Sequence, residues 1–297
     1  MTVEYCLFKP TYDFNLIITK EQYCRLIEVK QYLVSMLKVE EKLNLLIENY
    51  LELEKDILNV SFNKMISTIY STDWTLAIGD IHLINRRIIN FLTTSKLYLD
   101  QISHDIKEIS SDPSLPLKVE KLRNTEYDNV QGYRVIEALR NYVQHRGLPV
   151  HILTLNMSKV GNLSKHVITP FLKVDELKKD GKFKATVLKE LEELNDKVDI
   201  KQNIRQYIKS ITRIHSSIRE LLSENVQRWE EEFISTYEEF SKEYGETESL
   251  GIGEIYLGIR RNITYIMKEP IKRRKWLEQK NRELINLESK FVSSELI

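Results

Sequence analysis

Two cysteines, nine glycines and six prolines are all that 297 residues hold of these types. Cys6 and Cys24 are too few to build a zinc cluster by themselves, and a disulfide framework is not expected. A reducing cytoplasmic location is therefore the expectation. So little glycine and proline argues against a turn-rich all-β architecture. No apolar run approaches the ~18 residues that a membrane-spanning helix needs. The opening MTVEYCLFKPTYDFN lacks the basic start, apolar stretch and small-residue cleavage site of a secretory signal. Neither charge is in excess, since 44 Lys and Arg face 44 Asp and Glu.

What is present is ordinary soluble composition: 42% apolar and 30% charged residues, with enough Leu, Ile and Tyr to build cores. The length allows one large domain or two smaller ones. Residues 1–19, with Pro10 and their β-branched and aromatic content, suit short strands. Helical periodicity runs from Glu21 through Leu26, Val29, Leu33 and Met36. A second helix is expected over about 40–67 on the Leu43, Leu46, Ile47, Tyr50 face. Ser71, Thr72 and Asp73 suit the N-cap of a third, reaching to about Ile109. Pro113 and Pro116 make 111–117 a loop before a short helix at about 118–128. The next helix, about 131–146, should stop at Gly147 as its C′ residue, with Pro149 barring continuation. Loose alternation over 150–156 and 167–172, around Gly161-Asn162, reads as a β-hairpin, with Pro170 suggesting an edge strand. Helical pattern resumes near Lys182 and covers about 200–243. Residues 246–258, with three glycines, read as a break, and a last helix as about 270–293.

The segment that can carry chemistry is Leu139-Arg140-Asn141-Tyr142-Val143-Gln144-His145-Arg146-Gly147. It resembles the motif of the HEPN ribonucleases (the higher eukaryotes and prokaryotes nucleotide-binding family), an Arg, then four to six residues, then a His late in a helix, with a polar residue commonly following the Arg. Arg146 and His151 repeat the spacing, but Pro149 lies between them and breaks any helix. The periodicities give a mainly α fold with four parts, of which the resemblance makes the second a HEPN-like bundle. These are N-terminal strands and helices (1–69), a HEPN-like helical bundle (70–149), a β-hairpin insertion (150–178), and long C-terminal helices (179–297). The resemblance implies a metal-independent RNA endonuclease in bacterial toxin or antiviral defence biology, with no cofactor and no metal ligand. Arg140 would hold the phosphate, His145 would move the proton, and Asn141 would hold His145 or a phosphate oxygen. DNA, lacking the 2′-OH, would not be cut. Five residues apart, Arg140 and His145 point about 140° away from each other on an ideal helix. A homodimer pairing the Arg of one chain with the His of the other is thus implied, with a second protein as possible regulator or recruiter. The competing reading is that Arg and His near a helix end satisfy its last carbonyls. The chain is then a non-catalytic helical subunit for dimerisation or docking.

Other features stay open. Residues 259–282 carry nine basic side chains against two Glu, with Trp276 and Tyr265 among them. Arg260, Arg261, Lys272, Arg273, Arg274 and Lys275 are therefore RNA-binding candidates. The preceding 229–249 stretch holds eight Glu against one Lys, and the preferred expectation is that the two stretches pair with each other or form solvated faces, rather than a dedicated RNA-binding arm. Gly251, Gly253 and Gly258 lack dinucleotide spacing, and there is neither a GK[ST] nor a Gly-x-Ser-x-Gly. His104 and Asp105 are adjacent, and neighbours on a helix do not face one ligand.

Overall fold

A computed structural model of the chain describes residues 3–10, 14–66, 74–110 and 112–292. The protein is mainly α-helical. In chain order the elements are β1 (Glu4–Phe8), β2 (Leu16–Ile18), α1 (Lys20–Ile66), α2 (Trp74–Ile109), α3 (Ser114–Asn129) and α4 (Gln131–His145). There follow β3 (Ile152–Val160), β4 (Leu163–Lys173), α5 (Val174–Asp180), α6 (Ala185–Glu192), β5 (Lys197–Asp199) and α7 (Ile200–Tyr244). The last are β6 (Ser249–Tyr256), β7 (Ile259–Met267) and α8 (Glu269–Lys280). No helix among the described residues is long and apolar enough to cross a membrane.

The two helices expected over 21–67 are one. Residues 20–66 contain no Gly or Pro, so nothing interrupts the ladder of hydrogen bonds. Its start is a capping box: the Thr19 hydroxyl accepts from the Gln22 N–H while the Gln22 side chain accepts from the Thr19 N–H. The expected cap at Ser71, Thr72 and Asp73 lies outside the described residues. Pro116 does not end a loop but sits in the first turn of α3, where a missing N–H costs nothing. Asp112 closes that end, its carboxylate accepting from the Ser114 N–H at 2.8 Å.

The chain forms two compact units, and α1, α2, α3 and α7 each contribute to both. The first comprises 1–41, 102–117 and 217–282. Its sheet is antiparallel throughout, in the order β2-β1-β6-β7. Its core includes Leu26, Val29 and Leu33 of α1 and Trp229, Phe233 and Phe240 of α7. The glycine-rich break expected over 246–258 is a strand and its turn. At Gly251 a Cβ would lie 2.3 Å from the Phe8 ring, so glycine here makes room for a core aromatic. The turn Leu257-Gly258 has φ of 53° and 75°, the pattern of a type I′ hairpin. Leucine is a poor residue for that left-handed position, and Leu257 is exposed. Leu257→Asn is expected to raise stability by about 0.5–1 kcal/mol; a urea melt with an unmoved or lowered midpoint would contradict this.

The last helix also ends earlier than expected, at Lys280 rather than near 293. Arg219 of α7 takes the Asn281 carbonyl in a 3.0 Å hydrogen bond, fixing the chain where it leaves the helix.

The second unit comprises 42–101, 118–216 and 283–297. Tyr50, Phe91, Tyr133 and Tyr207 lie in its helical core, with rings 6.4, 6.0 and 4.9 Å apart in successive pairs from Tyr50–Phe91 through Phe91–Tyr207 to Tyr133–Tyr207. A three-stranded antiparallel sheet, β3-β4-β5, follows α4. The hairpin expected around Gly161-Asn162 is present, and Gly161 has φ of 61°. Its second strand is central rather than at the edge. Pro170 is tolerated because β5 pairs only with Phe171 to Lys173, so at Pro170 the strand has a single neighbour. Helix resumes earlier than Lys182, in α5, which ends on Gly181 with φ of 66°.

Candidate functional site

Helix α4 is amphipathic. Tyr133, Val135, Ile136, Ala138, Leu139 and Tyr142 are buried. It approaches α7 closely at Gly132, where a Cβ would stand 2.6 Å from Gln206 Cβ, and the Gly132 N–H donates to Gln206 Oε1 at 2.9 Å. Asn141 and His145 lie on the outer face and are exposed, one turn apart. Among the described residues no side-chain hydrogen bond or ion pair holds the His145 ring.

Arg140 faces the other way. It is half-buried, and its Nη1 contacts both oxygens of Glu137 at 3.0 Å. Glu137 Oε1 also accepts from the Tyr207 hydroxyl at 2.8 Å. Burial pushes the Tyr207 phenol well above its ordinary value, and the Glu137 charge adds to that. The Arg140 Nε is buried without a hydrogen-bond partner. One chain thus places Arg140 and His145 on different faces of α4, as the helical spacing requires.

The end of α4 is built differently from the expected left-handed cap. Arg146 donates its N–H to Tyr142 O at 2.8 Å, and Gly147 is not in the positive-φ region. Glycine is needed there for space, because a Cβ would fall 2.5 Å from the Tyr142 hydroxyl. That hydroxyl lies 3.5 Å from His151 Nε2. His151 Nδ1 accepts the Lys173 N–H at 3.0 Å, so the neutral ring carries its proton on Nε2 and presents it to Tyr142. Burial pushes the His151 imidazole below its ordinary value; Glu176 opposes this and Lys173 adds to it.

One polar residue of α2 has a positioning role that the sequence does not assign. Asn85 of α2, buried, clamps Val150 from both sides: the Val150 N–H donates to its Oδ1 at 2.8 Å and its Nδ2 donates to the Val150 carbonyl at 3.3 Å. This two-point clasp fixes the chain between α4 and β3. A buried Asn in an apolar stripe was the available signal, since such a side chain must find partners.

The basic candidates are largely engaged. Arg260 donates to Asn15 Oδ1 and the Phe14 carbonyl and lies 4.1 Å over the Phe8 ring. Arg261 stacks over Tyr256 at 5.1 Å. Arg273 lies over Trp276 and 3.9 Å from Glu41. Arg274 is buried between Glu230 and Glu278, and Lys275 reaches Glu230 at 2.7 Å. Lys272 is exposed. The expected pairing of the acidic and basic stretches is thus realised at Glu230.

His104, Asp105 and Glu108 bring one ligand atom each within 4.8 Å of one another. Adjacent His104 and Asp105 do converge, because Glu108 stands one turn on and His104 Nδ1 lies 3.6 Å from its carboxylate.

No family model matches the chain, and no curated protein or solved structure matches it.

Proposed function

We propose that the chain is a metal-independent RNA endonuclease of HEPN type, acting as a homodimer with an active site shared between two copies. The observation that carries this reading is the exposed Asn141–His145 pair on the last turns of α4, with no structural work assigned to the His145 ring. In the proposed reaction His145 takes the proton of a ribose 2′-OH. That oxygen attacks the adjacent phosphorus, the bond to the 5′-oxygen breaks, and the leaving oxygen takes a proton from water, to which the His145 imidazolium then returns its own. The products are a 2′,3′-cyclic phosphate and a 5′-hydroxyl. Asn141, one turn before His145, orients its ring or a phosphate oxygen. Arg140 of the other copy holds the phosphate, exchanging Glu137 for it. The sequence resemblance supplies the biological setting, bacterial defence or toxin action in the cytoplasm.

The second reading, a non-catalytic helical interaction subunit, is favoured by the Arg140–Glu137–Tyr207 network, which gives Arg140 a structural role. Incubating purified protein with total RNA in EDTA and reading the 3′ ends by mass spectrometry separates the two. The nuclease reading expects cyclic phosphate ends. It also expects Glu137→Gln, which keeps an acceptor for Tyr207 but frees Arg140, to cleave RNA at least as fast as wild type. Intact RNA from both proteins, with Glu137→Gln merely less stable, favours the interaction subunit.

A further inference from the structure

Between Glu137 and Asp175 the chain has no acidic residue. At the overall frequency of 44 in 297, a stretch of this length would hold five or six. It carries instead Arg140, Arg146, Lys159, Lys165 and Lys173, with His145, His151 and His166. In a chain of zero net charge this is a local excess of one sign. It begins on the candidate catalytic turn and runs through the β3–β4 hairpin.

The hairpin itself has an unusual outer half. Every residue from 156 to 165 is exposed. Strand β5 pairs only with Phe171 to Lys173, so beyond Pro170 the sheet narrows to two strands. The register pairs Asn156 with Val167 and continues to Val160 with Leu163. Five residues at ~3.3 Å each make an arm about 16 Å long. A two-stranded ribbon whose residues 156 to 165 are all exposed gains little stability from its own packing. Alternation puts Lys159 with Ser164, His166 and Met157 on one face, and Lys165 with Ser158 and Asn156 on the other. A cation stands on each face: Lys159 is opposite Ser164 and beside Met157, and Lys165 is opposite Ser158 with Leu163 and Val167 on either side of it along the strand. No ion pair involving Lys159 or Lys165 occurs among the described residues.

We infer that this arm is a nucleic-acid grip that binds the phosphate backbone of a folded RNA and presents it to His145. The inference rests on the ribonuclease reading for the choice of RNA, and on the charge and exposure of the arm for the grip. Lys, Ser and Asn side chains are the groups that meet phosphate and sugar oxygens. No Phe, Tyr or Trp lies between Tyr142 and Phe171, so the arm lacks the large aromatic platforms on which single-stranded bases stack best. Recognition is therefore of backbone and shape, weakly dependent on sequence and strongly dependent on salt.

The test uses the full chain carrying His145→Ala, so that RNA stays intact, and measures anisotropy of a fluorescent stem-loop RNA from 50 to 200 mM salt in EDTA. Adding Lys159→Ala and Lys165→Ala is expected to weaken binding about tenfold and to lower the salt slope by about 1 for each lysine. A charge-matched control, Lys118→Ala with Lys121→Ala on α3, is expected to bind within about twofold of the parent. Equal loss in arm variant and control overturns the grip, and so does tighter binding of a duplex DNA of the same length. Loss of dimer in light scattering with RNA affinity unchanged assigns the arm to a second copy and also overturns it. The two readings fail separately. Arm-dependent RNA binding by a wild type that never cleaves sustains the grip and removes the nuclease. Cleavage that ignores the arm lysines sustains the nuclease and removes the grip.

Discussion

Replacing His145 by alanine is expected to slow RNA cleavage by about 10²–10⁴-fold, the usual contribution of a positioned proton-transfer group. The fold should hardly notice. The side chain is exposed on the last turn of α4, and surface changes of this kind stay within about 0.5 kcal/mol. Initial rates on a fluorogenic RNA and a thermal melt on the same preparation check both halves. Unchanged cleavage removes His145 from the mechanism. The shared site makes a sharper demand. His145→Ala and Arg140→Gln chains are each expected to be inactive, yet mixing them should recover about a quarter of wild-type activity. Half of the randomly reassorted dimers are mixed, and in each of these one of the two symmetric sites has both groups intact. No recovery from a mixture shown to exchange subunits would mean that Arg140 and His145 do not meet across a two-fold axis. Arg140 would then keep only its partner Glu137.

The helical periodicities and the hairpin were legible because each element is written in a continuous stretch. Apolar spacing marked α2, α4 and α7 to within a few residues, and Gly161-Asn162 with flanking alternation marked β3 and β4. What failed was punctuation. Three glycines suggest a break at 246–258, whereas Gly251 sits inside a strand because Phe8, more than 240 residues earlier, needs the space. Gly147 stands where a left-handed cap is expected, yet it makes way for Tyr142. The final helix was extended too far because its stop is set by Arg219 holding the Asn281 carbonyl, a contact across 62 positions. A residue's role as spacer for a distant side chain leaves no local mark.

The candidate site divides in the same way. The divergence of Arg140 and His145 follows from helix geometry alone and needs no structure. The partner that claims Arg140 is one turn away, at Glu137, and was in plain sight as an i,i+3 pair. Its second tie, from Glu137 to Tyr207, spans 70 positions and was not. The acid-free run from 138 to 174 was readable as arithmetic, but it gains meaning only once the hairpin's outer half is seen to be exposed on both faces. The basic stretch at 259–282 shows the converse. Charge density alone suggested a polyanion surface, yet Arg274 is buried against two carboxylates and Arg260 is spent on the sheet's own core and loop. Counting cations overstates a binding surface wherever acids elsewhere in the chain fold onto them.

The largest expected stability loss lies in the first unit. Arg219→Leu should cost about 3–5 kcal/mol, the range for breaking a buried ion pair from one side. Glu40 is fully buried, and its two oxygens accept from Arg219 Nε at 2.8 Å and Nη2 at 2.6 Å. Leucine replaces the hydrocarbon stem and supplies no donor, so the carboxylate is left in a dry site with its main partner gone. The Asn281 carbonyl, which Arg219 also holds, loses a donor at the same time. Glu40→Leu alone should be costly for the mirror reason, since it strands most of a guanidinium. Replacing both together is a different case. With neither charge left to desolvate, the Glu40→Leu, Arg219→Leu protein should recover most of the loss and unfold at a urea concentration close to wild type. That non-additivity is the diagnostic result. If the double variant loses the sum of the two single losses, Glu40 and Arg219 act through separate neighbours, and the pair is not what joins α1 to α7 in this unit.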